Sequence, residues 1–268
     1  MMAYRLLPVL PWWLCLLAWA TTASADGPTL RVMSFNIHHG VGVDGRLDLE
    51  RIAAVIRAAS PDLVALQEVD AGAARTDRVD QPKTLARLTG MHAIFGDNIP
   101  YQGGRYGNAV LSRWPVARHE NHKLPSHYDG EQRGVLEVWP QTPKGFPQVR
   151  LLATHFDYRP GSKERVESAR MTNRMLTGGG DELTLLVGDL NATPDSPTLD
   201  ELKKHWRSAN DSPALTFPVD EPTKQIDYVL LPKASGWRVE RFEVLNEAVA
   251  SDHRALIATL VAPAARGQ

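Results

Sequence analysis

The sequence predicts one strand-rich α/β domain, on three observations. Short segments rich in Val, Leu, Ile and aromatics recur along the chain, each bounded by Gly, Pro, Asp or Asn. Only four stretches read as helices, and no internal repeat, low-complexity tract or dividing linker interrupts the pattern. The composition, 43% hydrophobic and 23% charged over 268 residues, excludes a disordered chain and leaves apolar mass for a sizeable core.

The first 25 residues stand apart. Arg5 is their only charge, residues 6–20 form an apolar run with Trp12, Trp13 and Trp19, and Ala23-Ser24-Ala25 has the small-x-small form of a signal peptidase site. The run of about 15 residues is short for a bilayer span of about 20. A cleaved signal at 1–25 and a secreted or periplasmic product are therefore expected, with an uncleaved N-terminal membrane anchor as the alternative. Cleavage would remove Cys15, the single cysteine, leaving one domain at 26–268 with neither a disulfide nor a thiolate metal cluster.

The mature chain opens with a strand at 30–37 and a helix at 48–59. Leu49, Ile52, Ala53 and Ile56 give that helix an apolar stripe, with Asp48 placed to cap it and Pro61 to stop it. A strand at 62–69 and a short helix at 84–90 precede strands at 92–95, 106–114, 134–139 and 148–156. A helix at 162–177 meets Gly178-Gly179-Gly180, which suits a flexible C-terminal cap. A strand at 183–191, a helix at 196–206 and a long loop at 212–224 with three prolines lead to strands at 225–231, 237–245 and 254–261.

Polar residues gather where these strands end, and sheet rims are where ligands commonly sit. The pattern recurs six times: Asn36 to His39, Gln67 to Asp70, His155 and Asp157, Asp189 and Asn191, Asp227, and Asp252 with His253. A lone Asp or Asn at a strand end usually makes a turn. Six such ends together are harder to read as turn chemistry. Oxygen donors such as Glu68, Asp252 and Asn36 suit Mg2+ or Mn2+, with Ca2+ less favoured, and a chain without thiols offers no soft-metal site. His155 and His253 can move protons near neutral pH, and Asp227 could orient His253. Alternation along the strand at 183–191 puts Asp189 and Asn191 on one face, so both can point at one attacking water. Together these groups amount to metal-assisted hydrolysis of a charged ester.

The segments S-F-N-I-H-H-G, P-D-L-V-A-L-Q-E-V-D, Y-G-N-A-V-L-S-R-W-P, T-H-F-D, V-G-D-L-N-A-T-P-D-S, Q-I-D-Y-V-L and S-D-H-R-A-L follow one another in order. The series resembles the motifs of the endonuclease/exonuclease/phosphatase superfamily, over about residues 30–261. The resemblance implies a deoxyribonuclease-like α/β (α+β) fold: a four-layer sandwich of two mixed β-sheets flanked by helices, with the site at one end of the sheets. It also implies roles. Glu68 would be the principal metal ligand, with Asn36 beside it and Asp252 near enough to hold or orient the cation. Asp189 would position or deprotonate the water, Asn191 would hold a phosphate oxygen, and His253 with Asp227 would stabilise developing charge. His155 matches a histidine that would protonate the leaving oxygen. Arg133, in E-Q-R-G-V-L, is either a phosphate contact or a solvated strand-edge arginine.

The expected activity is a secreted, divalent-metal-dependent phosphodiesterase, acting as a monomer without a stable protein partner. A nuclease on DNA or RNA and a lipid head-group phosphodiesterase are the alternatives within the superfamily. His38 stands where several nuclease members carry an acid, and a formal net charge of −1 gives little pull toward nucleic acid. A silent binding module would have lost Glu68, Asp189 or His253, and all three are present. Gly40, Gly42 and Gly45 have dinucleotide-site spacing, but the expected helix starts after them rather than around them.

Overall fold

The first strand, β1 (Thr29–Asn36), shows how the layers arise. Leu30 and Val32 point into one apolar core, while Met33 and Phe35, on the opposite face, point into another. A strand buried on both faces belongs inside a layered molecule. In this computed structural model, which describes residues 27–176 and 182–263, every layer is built on that alternation. The leader read at 1–25 and the glycine cap read at 178–180 lie outside the described residues.

After β1 come α1 (Leu49–Ala59), β2 (Leu63–Ala71), α2 (Gln81–Thr89), β3 (His92–Tyr101) and β4 (Gly104–Ser112). The chain continues through β5 (Val116–Lys123), β6 (Gly134–Pro140), β7 (Val149–His155), α3 (Lys163–Leu176) and β8 (Leu183–Asp189). It closes with α4 (Pro197–Leu202), β9 (Trp206–Ser208), β10 (Asp227–Pro232), β11 (Arg238–Val244) and β12 (Leu256–Val261). One six-stranded sheet has the order β11-β12-β1-β2-β4-β3 and the other β5-β6-β7-β8-β10-β9. Both are mixed. The pairs β1–β2 and β7–β8 are parallel, each crossed over by a helix, and the remaining neighbours are antiparallel.

The inner core lies between the sheets. Leu30, Leu63 and Val110 of one sheet meet Leu151, Leu185 and Val229 of the other, all with essentially no exposure. Outside the first sheet, Met33, Phe35 and Leu66 receive Ile52 and Ile56 of α1 and Leu85 of α2. Outside the second, Leu152, Leu186 and Leu230 receive Ala169 of α3 and Leu199 and Leu202 of α4. The result is the expected four-layer sandwich.

Strand pairing carries the polar ends to one edge. β12 runs antiparallel to β1 with Ser34 opposite Leu256, so the segment just before β12 lies beside Asn36. β10 runs antiparallel to β8 with Asp227 opposite Asp189, and parallel pairing sets His155 beside Asp189.

Several elements depart from the sequence expectation. β3 continues to Tyr101, past the apolar 92–95, because G-D-N-I-P-Y stays paired to β4 around a bulge between Asp97 and Ile99. β5 was not expected: V-A-R-H-E-N-H-K has no apolar run, which is how an edge strand reads. α2 begins at Gln81 rather than 84, since the Asp80 carboxylate accepts from Lys83 N and Pro82 suits a first turn. α4 stops at Leu202, and Trp206 starts the short β9 instead of ending the helix. β8 ends at Asp189, two residues before the expected end. The glycines at 40, 42 and 45 form a loop closed by a Val41–Leu47 bridge, and α1 starts at Leu49 beyond it, so no helix N-terminus is framed by them.

The inter-sheet core sets a stability test. Leu185→Ala should lower the unfolding free energy by about 2–5 kcal/mol in urea titration. Leu215→Ala, at a side chain 41% exposed, should stay within about 0.5 kcal/mol. Equal midpoints for the two variants would contradict the assigned core.

Candidate active site

Glu68 reaches the cleft because β2 bulges. Leu66 pairs with Ala109 and Val69 with Gly107, so Gln67 and Glu68 together oppose the single residue Asn108. Glu68 takes φ +58°, a left-handed conformation that breaks strict alternation. Gln67 stays buried beside Ser34, while the Glu68 carboxylate accepts from Asn36 Nδ2 at 3.1 Å and faces His39 Nδ1 at 3.9 Å. Burial acts to neutralise Glu68, but the facing His39 ring and the Asn36 amide hold the carboxyl below its usual range.

Asn36 is buried at the end of β1. Its Nδ2 also donates to Asp189 Oδ2 at 3.2 Å, and its Oδ1 accepts from His38 N at 3.1 Å. Held this way, Asn36 orients two carboxylates. Ligating a cation through oxygen would require turning the amide over and giving up the His38 bond.

Asp189 closes β8 with 1% of its surface exposed. Beyond it Asn191 adopts φ +47°, and its backbone N–H donates to Asp189 Oδ1 at 2.8 Å. A turn therefore brings Asn191 to the cleft, not the strand alternation expected for 183–191. Burial first, and the Asp227 charge second, push the Asp189 carboxyl up from its usual range. Two imidazoles flank its Oδ2: His155 Nε2 at 3.4 Å and His253 Nε2 at 3.7 Å.

The two histidines are backed by opposite partners. His253 Nδ1 donates to Asp227 Oδ2 at 2.9 Å, and that oxygen also accepts from Thr216 Oγ1 at 2.6 Å. Burial alone would lower the His253 pKa, but the Asp227 carboxylate and its hydrogen bond raise it well above the ordinary histidine value. His155 Nδ1 faces Arg133 Nη1 at 2.9 Å. There burial and the guanidinium act together and push the His155 pKa well below its usual value. Both effects disfavour the charged imidazolium at His155. Arg133 is buried and paired with Glu131 Oε1 at 2.6 Å, which removes the reading as a solvated edge residue.

Ser251 stitches the last loop to β1: its Oγ donates to Asn36 O at 2.7 Å and accepts from His253 N at 3.2 Å. His253 is thereby fixed inward, while the neighbouring Asp252 is half-buried at the cleft wall.

A cleft of about 740 Å3 opens over these groups. Glu68, Arg133, His155, Asp189, Asn191, Asp252 and His253 line it, and Asn36 and Asp227 lie behind as buried supports. The structure thus brings together every site residue the sequence singled out. Arg75, Tyr106, Glu131, Tyr158 and Phe217 also line the cleft and were not foreseen. Arg75 is held by Asp70 at 2.8 Å with its guanidinium over Tyr101, and Phe217 lies 4.8 Å from the His253 ring. Only Glu131, two residues before Arg133, and Tyr106, at the head of Y-G-N, lay in motifs that could have flagged them.

Among the described residues, His38–His39–Glu68 and Asp189–Asp227–His253 are groups close enough to share an ion at this edge. The donors of the cleft fit a hard divalent cation. Glu68 is an ionised carboxylate turned outward by the bulge, and the half-buried Asp252, which lines the same cleft, offers a second oxygen donor.

A model of the Endonuclease/Exonuclease/phosphatase family matches residues 33–253. The chain is 29% identical over 252 residues to the protein YbhP of Escherichia coli (strain K12), covering 87% of this chain and 96% of that one. It is similar to a solved endonuclease/exonuclease/phosphatase from Beutenbergia cavernae DSM 12333, at 31% identity and TM-score 0.71, over 87% of this chain and 71% of the other. A mannosyl-6-phosphatase from Bacteroides thetaiotaomicron VPI-5482 shares the fold, with TM-score 0.69 and 19% identity over 86% of this chain and 99% of its own. The chain belongs to the endonuclease/exonuclease/phosphatase family, whose members are hydrolases acting on phosphate esters.

Proposed function

We propose that this chain is a divalent-metal-dependent phosphodiesterase in which Asp189 directs water at phosphorus. The observation that carries the reading is the Asp189 carboxylate itself, buried, pushed up in pKa and set between two imidazoles at the floor of the cleft. A general base works best when its proton affinity is raised toward the working pH, and burial beside Asp227 does that here. His253, kept charged by Asp227, is the poorer base and the better partner for negative charge building on the phosphate.

Glu68 and Asp252 would hold Mg2+ or Mn2+, with Asn36 kept in its present orientation to hold both Glu68 and Asp189. Such a cation neutralises phosphate charge and lowers the pKa of water bound to it. Asn36 and the Asn191 backbone fix the Asp189 carboxylate, which takes the proton of the attacking water as the new P–O bond forms. The ester P–O bond opposite then breaks, the leaving oxygen departs as an oxyanion that takes its proton from water, and the Asn191 amide, beside the His155 ring, is placed to hold a phosphoryl oxygen. Arg75, Tyr101, Phe217 and Lys224 also line the cleft, and its volume of about 740 Å3 leaves room for two ester arms, which favours a diester over a terminal phosphate.

Hydrolysis of bis-(p-nitrophenyl) phosphate with Mg2+ or Mn2+ is the direct test. Glu68→Ala and His253→Ala should each lower kcat by roughly 100-fold or more, and excess chelator should abolish turnover. Full activity in chelator would end the metal role, and undiminished turnover in both variants would end the site. Plasmid DNA, RNA and phospholipid vesicles, assayed side by side, then separate nuclease from head-group phosphodiesterase.

Export belongs to the same proposal. The apolar segment before Ala23-Ser24-Ala25 should be absent from the mature protein. N-terminal sequencing of the secreted or periplasmic product should begin at Asp26, whereas membrane-bound protein retaining residues 1–25 would establish the anchor instead.

A further inference from the structure

His155 has a hydrogen-bond donor in contact with each ring nitrogen. Arg133 Nη1 stands 2.9 Å from Nδ1, and Asn191 Nδ2 stands 3.0 Å from Nε2. A neutral imidazole offers one lone pair and one N–H, so only one of these contacts is a hydrogen bond to the ring. The guanidinium has no acceptor and cannot be turned to present one. The Asn191 amide, whose second N–H donates to Phe156 O at 3.1 Å, can turn over to present its oxygen to the ring at the cost of that bond, an option closed to the cationic Arg133. The lone pair therefore belongs at Nδ1 and the proton at Nε2, which faces Asp189 Oδ2 at 3.4 Å. Glu131 secures the arrangement from the cleft wall by pairing with the same Arg133 nitrogen at 2.6 Å.

We propose that Arg133 is a positioning residue that locks His155 as a neutral Nε2–H donor, and that it acts on the reaction through His155 rather than by gripping substrate phosphate. Asp189 Oδ2 then lies between unlike imidazoles. His253 donates from Nδ1 to a carboxylate, while His155 accepts at Nδ1 from a guanidinium. Adding a second proton to His155 would set an N–H against the arginine N–H at 2.9 Å, so the lock also keeps the ring out of acid catalysis. The Nε2–H helps hold the Asp189 carboxylate and stays available to an oxygen arriving in the cleft. Orienting partners of this kind hold a histidine tautomer and ring orientation in other sites.

The inference rests on the proposed phosphodiesterase for its effect on rate, but not for the tautomer, which is read without substrate. In the 15N-labelled full protein at neutral pH, long-range 1H–15N spectra should show His155 Nδ1 as an unprotonated nitrogen and Nε2 as a protonated one. The resonance is assigned by its loss in His155→Gln. A protonated Nδ1 in the wild-type protein would overturn the lock whatever the activity proves to be, and needs no Arg133 variant to fold. Arg133→Met should yield mixed His155 tautomers and lower kcat on bis-(p-nitrophenyl) phosphate by about 10–100-fold, with KM changed less than kcat. Unchanged His155 shifts in Arg133→Met, or a raised KM at constant kcat, would instead make Arg133 a substrate contact and overturn the proposal.

Discussion

Asp189 sits at the end of β8 almost out of reach of water, where an unpaired carboxylate would cost several kcal/mol even after relaxation. The surrounding groups are disposed as that cost requires. Asn36 reaches it from the other sheet, the Asn191 backbone folds back onto it, and two imidazoles close over Oδ2. Each of these depends on strand register. The β8–β10 register sets Asp227 opposite Asp189, and the β1–β12 register delivers Ser251 to Asn36 and so orients His253. A slip of one residue in either pairing would turn the inward side chains outward and leave the carboxylate unsatisfied. The inter-sheet core, by fixing both registers, also fixes the chemistry.

Half of the described non-glycine residues with positive φ belong to the same edge, the others being Ser60, Asp77, Arg78 and Gln102. His38, His39, Glu68 and Asn191 all take positive φ although none is glycine. Such conformations cost of order 1–3 kcal/mol each and persist only where the surroundings impose them. At Glu68 the imposition is visible, because the bulge inserts an unmatched residue between two pairs of β2–β4 partners. The strain frees Glu68 from alternation while Gln67 remains packed inside. An unstrained β2 could not keep both neighbours where they are.

What the sequence disclosed and what it hid follow from range. Strands such as β1 and β8 announce themselves by local composition, and their polar ends were visible because an Asn or Asp interrupts a run of Val and Leu. β5 was hidden, since an edge strand with one face in solvent carries V-A-R-H-E-N-H-K rather than an apolar run. Arg75 and Phe217 were hidden for another reason. Each sits in an irregular segment and enters the cleft only through tertiary contacts, to Tyr101 in one case and His253 in the other. Arg133 was noticed, but its burial and its bond to His155 depend on β6 lying beside β7, which no local pattern states. Alternation also misled at Asn191, because the strand had already ended in a left-handed turn.

The near-neutral charge of the chain conceals a cleft lined by both signs, and the pairing of the cations bears on what enters it. Arg75 is committed to Asp70, Arg133 to Glu131 and His155, and Arg165 to the backbone oxygens of Asp157, Arg159 and Gly161, while Lys224 adds one further cation to the lining. Guanidinium groups engaged in this way shape the wall more than they attract a polyanion from a distance. A protein that binds long nucleic acid needs positive charge along a surface, where releasing counterions from many phosphates supplies affinity. Here the positive charge is local, and carboxylates at Glu68, Glu131 and Asp252 stand among it on the cleft wall. A divalent cation held by Glu68 and Asp252, as proposed, would reverse the sign of the cleft at one point only. For the phosphodiesterase proposed above, that geometry would suit a single phosphodiester, gripped at its reacting group, better than a long strand gripped along its length.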